Sequence, residues 1–377
     1  MRTPLHYSII CTKCSTVYPI NQALWQCPCG GLLDIDIKTN LSLDSIVRRK
    51  PTMWRYREVL PIIDDGAIVT YEEGFTPLLK TVWSRRSIYV KQDFLFPTGS
   101  YKDRGASVLI SKVRELGIDE VIEDSSGNAG AAIAAYCARA GISCHIYVPE
   151  NTAADKVGQI QAYHAQLHTV KGTREDTAQT TLRKAARMYY ASHYWNPFFM
   201  HGTKTFAYEI CEQLDWYAPH TVIVPVGHGT LLIGAYLGFT EMLAAGIINR
   251  LPKIIAVQAE RCAPCAFAFD QGYKARYEYA YLDTVATGIA IANPVRKKQI
   301  ITAVHMSDGH FITVTDAEII TALKKLCEKG FYVEPTAAAT FAGLLHYLTN
   351  APPNEVIVTT LTGHGLKTSA QIAELLR

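Results

Sequence analysis

The sequence has little charge of one sign in excess. Its 37 Lys and Arg against 34 Asp and Glu leave a net charge of +3 over 377 residues. No dense Lys/Arg tract concentrates that charge, which argues against a nucleic-acid footprint or a membrane-surface patch. Long apolar runs are missing as well. The most apolar region, Thr221 to Ile248, is broken by Pro225, His228 and Glu241, so it reads as strand, loop and helix rather than a membrane span. Met1 to Ile10 has one arginine, no apolar core and no small-residue cleavage site, so no secretory signal is expected. Internal repeats and low-complexity segments are absent. The expectation is a cytoplasmic protein with small-molecule partners. What is present is the composition of a globular enzyme, 49% apolar and 19% charged, in a chain longer than one average domain.

The ten cysteines of such a chain argue for reduced thiols or metal ligation rather than a disulfide scaffold. Four form a pattern: "CTKC" supplies Cys11 and Cys14, and "CPCGG" supplies Cys27 and Cys29. Two close-spaced knuckles across a short loop assemble a tetrahedral thiolate site for zinc. A segment of roughly 35 residues buries too little surface to fold alone, so metal would supply its folding free energy. Four thiolates leave no open coordination position, and the expected role is structural. Two unrelated pairs of free thiols are the competing reading. Cys262 and Cys265 in "RCAPC" lack a second knuckle nearby and are read as inert buried thiols. Cys137, Cys144, Cys211 and Cys327 are read as core.

From Ile88 onward, short β-branched runs alternate with helical stretches: "VIEDSSGNAGAAIAAYCARAG", "SCHIYVP", "TVIVPVGHGTLLIGAYLGF", "KIIAVQAE" and "NEVIVTTLTGHG". This predicts an α/β fold of mostly parallel open sheets, whose ligands gather at the carboxyl ends of strands. Lys38 to Gly66, bearing Pro and Arg, reads as a linker.

Three strand-end loops carry chemistry. In "VPVGHGTLL", Gly227, His228, Gly229, Thr230 and Leu231 follow a strand and open a helix, leaving backbone N–H groups for an anion. Tight strand-to-helix turns use glycine anyway. In "SSGNAG", Ser125, Ser126 and the N–H groups around Gly127 can hold a carboxylate, and Asn128 offers a directional amide. Helix capping by Ser126 or Asn128 is the competing reading. In "LTGHGLK", Thr362 follows the last strand, as a site hydroxyl or as a turn residue.

Lys102, in "FPTGSYKDRGAS", sits where a loop becomes a helix. A lysine that forms an imine needs its amine held in a partly desolvated cleft. A phosphate-bearing aldehyde needs a phosphate cradle, a partner for its ring nitrogen and a donor to its phenolic oxygen. Lys102, Gly227 to Leu231, Thr362 and Asn128 match those four requirements in turn.

"PTGSYKDRGA", "SSGNAGAAIAAYCARAGI", "VPVGHGT", "GIAIANPV", "VEPTAAATFAGLL" and "LTGHGLK" occur in the order found in pyridoxal-phosphate enzymes of fold type II. The chain resembles that tryptophan synthase β-subunit-like family from about Glu73 onward, and within it the threonine synthases. Its start, ending in "CGGLLD", looks like their N-terminal extension. The resemblance implies two three-layer open-sheet domains behind a zinc-ribbon-like segment at 1–36. The large, cofactor-binding domain would be 37–104 with 197–377, and the small domain 105–196. It implies Lys102 as the imine lysine, Asn128 at the cofactor's phenolic oxygen, the loop from Gly227 at its phosphate and Thr362 at its pyridine nitrogen. Ser125, Ser126, Gly127 and Asn196 would contact an amino-acid substrate, and the enzyme would be a homodimer. The implied reaction turns O-phosphohomoserine and water into threonine and phosphate. Two arginines common in threonine synthases, in "NPYR" and "RIGNP", are replaced here by "NPFF" and "AIANP". Lys204, Arg296, Lys297 or His201 are candidates to compensate. A related ammonia-lyase or β-replacement enzyme acting on serine, threonine or an O-activated amino acid is the alternative.

Overall fold

The computed structural model describes residues 6–38, 41–152, 154–272 and 281–377. The first five residues of the expected zinc-ribbon-like segment, residues 39–40 and 273–280 of the expected large domain and residue 153 of the small one lie outside the described residues. By compactness the chain forms two units, Met1–Phe75 with Lys102–Thr203, and Thr76–Tyr101 with Lys204–Arg377. Thirteen strands occur among the described residues. They are β1 (His6–Cys11), β2 (Val17–Pro19), β3 (Leu33–Lys38), β4 (Leu78–Trp83), β5 (Arg86–Lys91), β6 (Glu120–Glu123), β7 (Ser143–Pro149), β8 (Gln166–Val170), β9 (Tyr189–Tyr190), β10 (Thr221–Pro225), β11 (Lys253–Ala259), β12 (His310–Val314) and β13 (Ile357–Thr360).

The first unit holds two sheets. β2-β1-β3 is a small antiparallel sheet in which Cys11 pairs with Leu33. β8-β7-β6-β9 is wholly parallel, and its central strands bury apolar residues on both faces. Val121, Ile122, Ile146 and Val148 are buried there.

The second unit is built on one sheet, β12-β11-β10-β13-β5-β4, parallel except for the edge hairpin of β4 with β5. That hairpin turns through Ser84 and Arg85, both at positive φ (47° and 61°), the backbone a two-residue turn requires. All five residues of β10 are buried. The α/β arrangement with mostly parallel sheets is thus as expected from the sequence.

The linker reading of Lys38 to Gly66 is corrected. Residues 53–59 form two short 3-10 turns that meet at a kink at Tyr56, and Met53, Trp54, Leu60 and Ile62 make an apolar cluster with Val108. Trp54 Nε1 donates to Ser107 Oγ at 3.0 Å and Val69 N to Ser111 Oγ at 2.8 Å. These bonds tie the stretch to the helix Lys102–Glu115. Residues 41–75, expected with the larger domain, therefore fall in the same compact unit as Lys102–Thr203.

Candidate active site

In the first unit, Lys102 is the first residue of the helix Lys102–Glu115. Its ammonium stands 5.8 Å from the centroid of the Phe199 ring. The following glycine is obligatory: a Cβ on Gly105 would lie 2.3 Å from Phe199 Cε1, and one on Gly202 would lie 1.9 Å from Arg104 O. The two glycines let this helix and the helix Pro197–Thr203 press backbone to backbone, with Phe199 wedged beneath Lys102.

The loop after β6 opens the helix Asn128–Ala140 without a side-chain cap. Its N-cap residue is Gly127, which makes no capping bond, and Asn128 is already helical. The capping reading of Ser126 and Asn128 therefore fails. Ser125 Oγ accepts from Gly127 N at 3.3 Å, and a Cβ on Gly130 would lie 1.9 Å from Ser125 O, so the loop folds closely over the helix start. Gly127 N is held by that bond, while the helix start carries no side-chain cap, the arrangement that anion-binding helix starts use.

Behind this loop lies a polar cluster that sequence reasoning missed. Asp124, fully buried, receives Tyr190 Oη at 2.7 Å, Tyr194 Oη at 2.9 Å and Arg174 Nη1 at 3.0 Å. Burial first, then the Asp124 charge, pushes the Tyr190 phenol well up, so it remains the donor. Beside it, Glu123 bonds His193 Nδ1 at 2.6 Å, and burial followed by the Asp124 charge raises its carboxyl well above the usual range. The partners are 50 to 70 positions away in sequence. The only local signal was an acidic pair ending a strand.

Asn196, expected at the substrate, is fully buried. Its Nδ2 donates to Tyr189 Oη at 2.8 Å and to Tyr190 O at 3.3 Å, and its Oδ1 accepts from Phe198 N at 3.2 Å. The side chain ties the segment before Pro197 to β9. Phe198 and Phe199, where an arginine was expected, are completely buried.

In the second unit, Gly227 to Leu231 run from β10 into the helix Thr230–Ala244. Gly229 is the N-cap at φ 76° with no side-chain cap, and a Cβ there would lie 2.4 Å from Ile300 Cγ1. A Cβ on Gly227 would meet Ile289 Cα at 3.0 Å and Ile291 Cγ1 at 3.1 Å. Glycine is thus required at the second position by both conformation and space. Thr230 Oγ1 lies 3.1 Å from Tyr101 Oη, while Tyr101 N donates to Thr362 O at 3.1 Å. Tyr101, the residue before Lys102 in sequence, therefore bridges the phosphate-type loop and the end of β13. Thr362 is 3% exposed, and its Oγ1 has no hydrogen-bond partner among the described residues. It is not a cap, because His364 caps the turn that follows. An uncapped helix start and an orphaned buried hydroxyl in one unit fit a phosphate-bearing ring with a single acceptor nitrogen.

Two of the four cations named as compensators are engaged. Lys204 Nζ, fully buried, bonds Glu241 Oε1 at 2.8 Å, and Arg296 Nη1 bonds Gln299 Oε1 at 2.7 Å. Cys262 and Cys265 are buried, and burial pushes Cys265 up to about 12. That agrees with inert thiols.

The sulfurs of Cys11, Cys14, Cys27 and Cys29 lie within 4.8 Å of one another, with Cys11 and Cys29 3.5 Å apart and Cys14 and Cys27 3.6 Å apart. Four sulfurs about 2.3 Å from one zinc stand roughly 3.8 Å apart. Lys13 N and Cys14 N point at Cys11 Sγ, at 3.4 and 3.5 Å. A Cβ on Gly31 would lie 2.6 Å from Cys11 Sγ. The donor set and spacing fit a structural metal.

Among the described residues no helix is long and apolar enough to cross a membrane. The family model of pyridoxal-phosphate dependent enzymes matches residues 69–363. A threonine synthase of Methanocaldococcus jannaschii is 39% identical over 372 residues, covering 95% of this chain and 92% of that protein. One from Synechocystis is 38% identical, covering 83% of this chain and 82% of that protein. Among solved structures, the processed form of threonine deaminase isoform 2 from Solanum lycopersicum matches with a TM-score of 0.68 at 24% identity, covering 80% of this chain and 83% of that one. Maize serine racemase matches with a TM-score of 0.68 at 22% identity, covering 80% and 92%. These structures share the fold-type-II arrangement, and the two relatives match 95% and 83% of this sequence. The chain belongs to the pyridoxal-phosphate-dependent enzyme family and, within it, groups with the threonine synthases.

Proposed function

We propose that the protein is a threonine synthase, a pyridoxal-phosphate-dependent lyase that converts O-phosphohomoserine and water to threonine and phosphate. Pyridoxal phosphate, when bound, supplies an electron sink for charge released at the substrate's Cα. Lys102 Nζ is the amine that would hold the cofactor. Lys102 Nζ would also be the general base and acid at the substrate, taking the Cα proton and serving Cβ and Cγ as phosphate leaves and water adds. The uncapped N–H groups from Gly229 to Leu231 would hold the cofactor phosphate, with His228 in the same turn. The Asn128 amide would fix the ring through its phenolic oxygen. Ser125, Ser126 and the Gly127 N–H would hold the substrate carboxylate, with Asn196 bracing that region from behind.

The observation that carries this reading is the orphaned Thr362 hydroxyl. A neutral donor can bond a ring nitrogen without holding it protonated as a carboxylate would, which suits elimination and replacement at Cβ or Cγ. The test is turnover of O-phosphohomoserine with threonine and phosphate quantified in equal amounts. Ketoacid release from serine or threonine without phosphate turnover would favour the ammonia-lyase reading. One observation supports that reading: Phe198 and Phe199 fill the arginine region, and Lys204 is paired with Glu241.

The cysteine cluster supports one structural zinc on Cys11, Cys14, Cys27 and Cys29. Elemental analysis should find it near stoichiometric, and X-ray absorption should show only sulfur neighbours. The family likeness also supports a cytoplasmic homodimer, which light scattering of the purified enzyme checks.

A further inference from the structure

One aromatic side chain joins the cysteine segment to the loop Ser125–Asn128. Trp25 lies between β2 and β3, two residues before Cys27. Its ring meets Tyr190 edge-on at 5.2 Å between centroids and Trp195 at 6.0 Å. It packs on the apolar cluster that includes Ile122, Tyr147 and Ala185. Tyr190 is the hinge of the arrangement. Its hydroxyl holds Asp124 Oδ1 at 2.7 Å, and its carbonyl accepts from Asn196 Nδ2 at 3.3 Å. Asp124 runs directly into Ser125. All of these residues lie in one compact unit.

A small cysteine-bearing sheet cannot cover a tryptophan by itself, so Trp25 closes the side of the β6–β9 cluster that Tyr190 occupies. With Trp25 in place, the Tyr190 ring has one packed orientation and its hydroxyl one direction. Without it the ring gains room, and the Asp124 anchor loosens at its hydrogen bond from Tyr190. The cysteine cluster fixes the short loop that carries Trp25, because Cys27 lies two residues on and Cys27 N bonds Gly31 O at 3.1 Å.

We propose that Trp25 is a positioning residue through which the order of the cysteine cluster sets the order of the loop Asp124–Asn128, and with it the affinity for the substrate carboxylate. The proposal rests on the substrate role assigned above to Ser125, Ser126 and Gly127, and on the metal reading of the cluster. Neither Trp25 nor Tyr190 touches the reacting atoms, so the effect falls on KM rather than kcat.

The experiment uses the full-length, cofactor-bound enzyme with Trp25→Ala, Trp25→Phe and Tyr190→Phe. Amide hydrogen exchange across residues 124–128 should quicken about tenfold in Trp25→Ala, and KM for O-phosphohomoserine should rise about fivefold with kcat nearly unchanged. Trp25→Phe should restore most of both. Tyr190→Phe should loosen the same loop while exchange in β1 to β3 stays as in wild type. Chelation of the metal should reproduce the loop effect in wild type and add nothing in Trp25→Ala, because both act through one contact. Unchanged exchange at 124–128 in Trp25→Ala and Tyr190→Phe, or chelation effects that simply add, would overturn the proposal. Should Trp25→Ala not fold, Trp25→Leu, which keeps apolar bulk but removes the ring, takes its place against Tyr190→Phe. If O-phosphohomoserine is not turned over, the exchange readout still tests the clamp while the function reading fails. If no metal is found, Cys11→Ser with Cys14→Ser takes the place of chelation.

Discussion

Replacing Thr362 with valine should change stability in opposite directions with and without cofactor. Thr362 is 3% exposed, and its Oγ1 has no partner among the described residues. A buried hydroxyl left unbonded costs about 1–3 kcal/mol. Valine keeps the β-branched shape and removes the hydroxyl, so cofactor-free protein should gain roughly that amount. For a unit of this size, about 2–4 °C of melting midpoint accompanies each kcal/mol, and the rise is measurable by calorimetry. Once cofactor is bound, the hydroxyl has its acceptor. Valine then forfeits a net hydrogen bond of about 0.5–1.5 kcal/mol. Around the thermodynamic cycle the two effects add, so cofactor affinity should fall by about 1.5–4.5 kcal/mol, at least tenfold. Calorimetric melts of both proteins in both states, with a cofactor titration followed by absorbance, measure every edge of the cycle. A valine variant that is less stable than wild type without cofactor would refute the reasoning, as would one that binds cofactor equally well. The hydroxyl would then have a partner within the protein, and Thr362 would be a turn residue.

Gly229→Ala should destabilise the second unit by about 2–5 kcal/mol. Of this, about 1–2 comes from forcing φ 76° on a residue with a Cβ. Overpacking against Ile300, which that Cβ would approach to 2.4 Å, adds about 1–3. Gly227→Ala, with 3.0 Å to its nearest neighbour, should cost visibly less in denaturant unfolding, and both should lower cofactor content. Borohydride reduction of the holoenzyme should bleach its visible band and leave the cofactor on the Lys102 peptide, and Lys102→Ala should fold but trap nothing. Trapping at Lys91, buried against Glu209 at 2.7 Å, or at Lys112, paired with Glu115, would displace Lys102 from its role.

The parallel strands were legible because they are buried on both faces. "TVIVP" and "KIIAVQA" are nearly unbroken apolar runs, and β10 and β11 are where they were expected. The strand-end loops were legible only as a set: glycine after such a run is an ordinary tight-turn residue, and the lysine, asparagine and threonine motifs alongside it gave it meaning. Residues 53–69 were not, because a 3-10 turn shows no helical period and its ties, such as Trp54 to Ser107, span 53 positions. Asn196 exposed a different limit. Residue type states what an amide can bond but not whether its partner is a ligand or, as here, Tyr189 and the backbone of its own unit. The Asp124 cluster escaped for the same reason, since nothing in "YYASHYW" points to an aspartate 66 positions earlier.

How the chain starts its helices bears on the site. Arg174–Lys184 and Asp316–Glu328 open with full capping boxes, Thr173 with Asp176 and Thr315 with Glu318. Asn128–Ala140 and Thr230–Ala244 begin after glycine with no side-chain cap. A missing cap leaves orphan N–H donors, but Thr205–Gln213, Pro264–Asp270, Lys297–Met306 and Pro335–Leu348 lack a side-chain cap as well, so what marks these two starts is the glycine loop each follows, assigned to substrate and to phosphate. Gly127→Ser tests whether those donors are reserved for a ligand. Gly127 has φ −105° and ψ −148°, so serine needs ψ to turn modestly toward the extended region, and the nearest atom to an added Cβ is Ser125 Oγ at 4.0 Å. The new hydroxyl should cap the helix and raise the stability of the substrate-free enzyme by a few tenths of a kcal/mol. It should also occupy donors that the substrate carboxylate needs, so KM should rise while the visible band of the bound cofactor stays in place. Higher stability with an unchanged KM would mean that the N–H groups of this helix bind no substrate, and the carboxylate site would have to lie elsewhere.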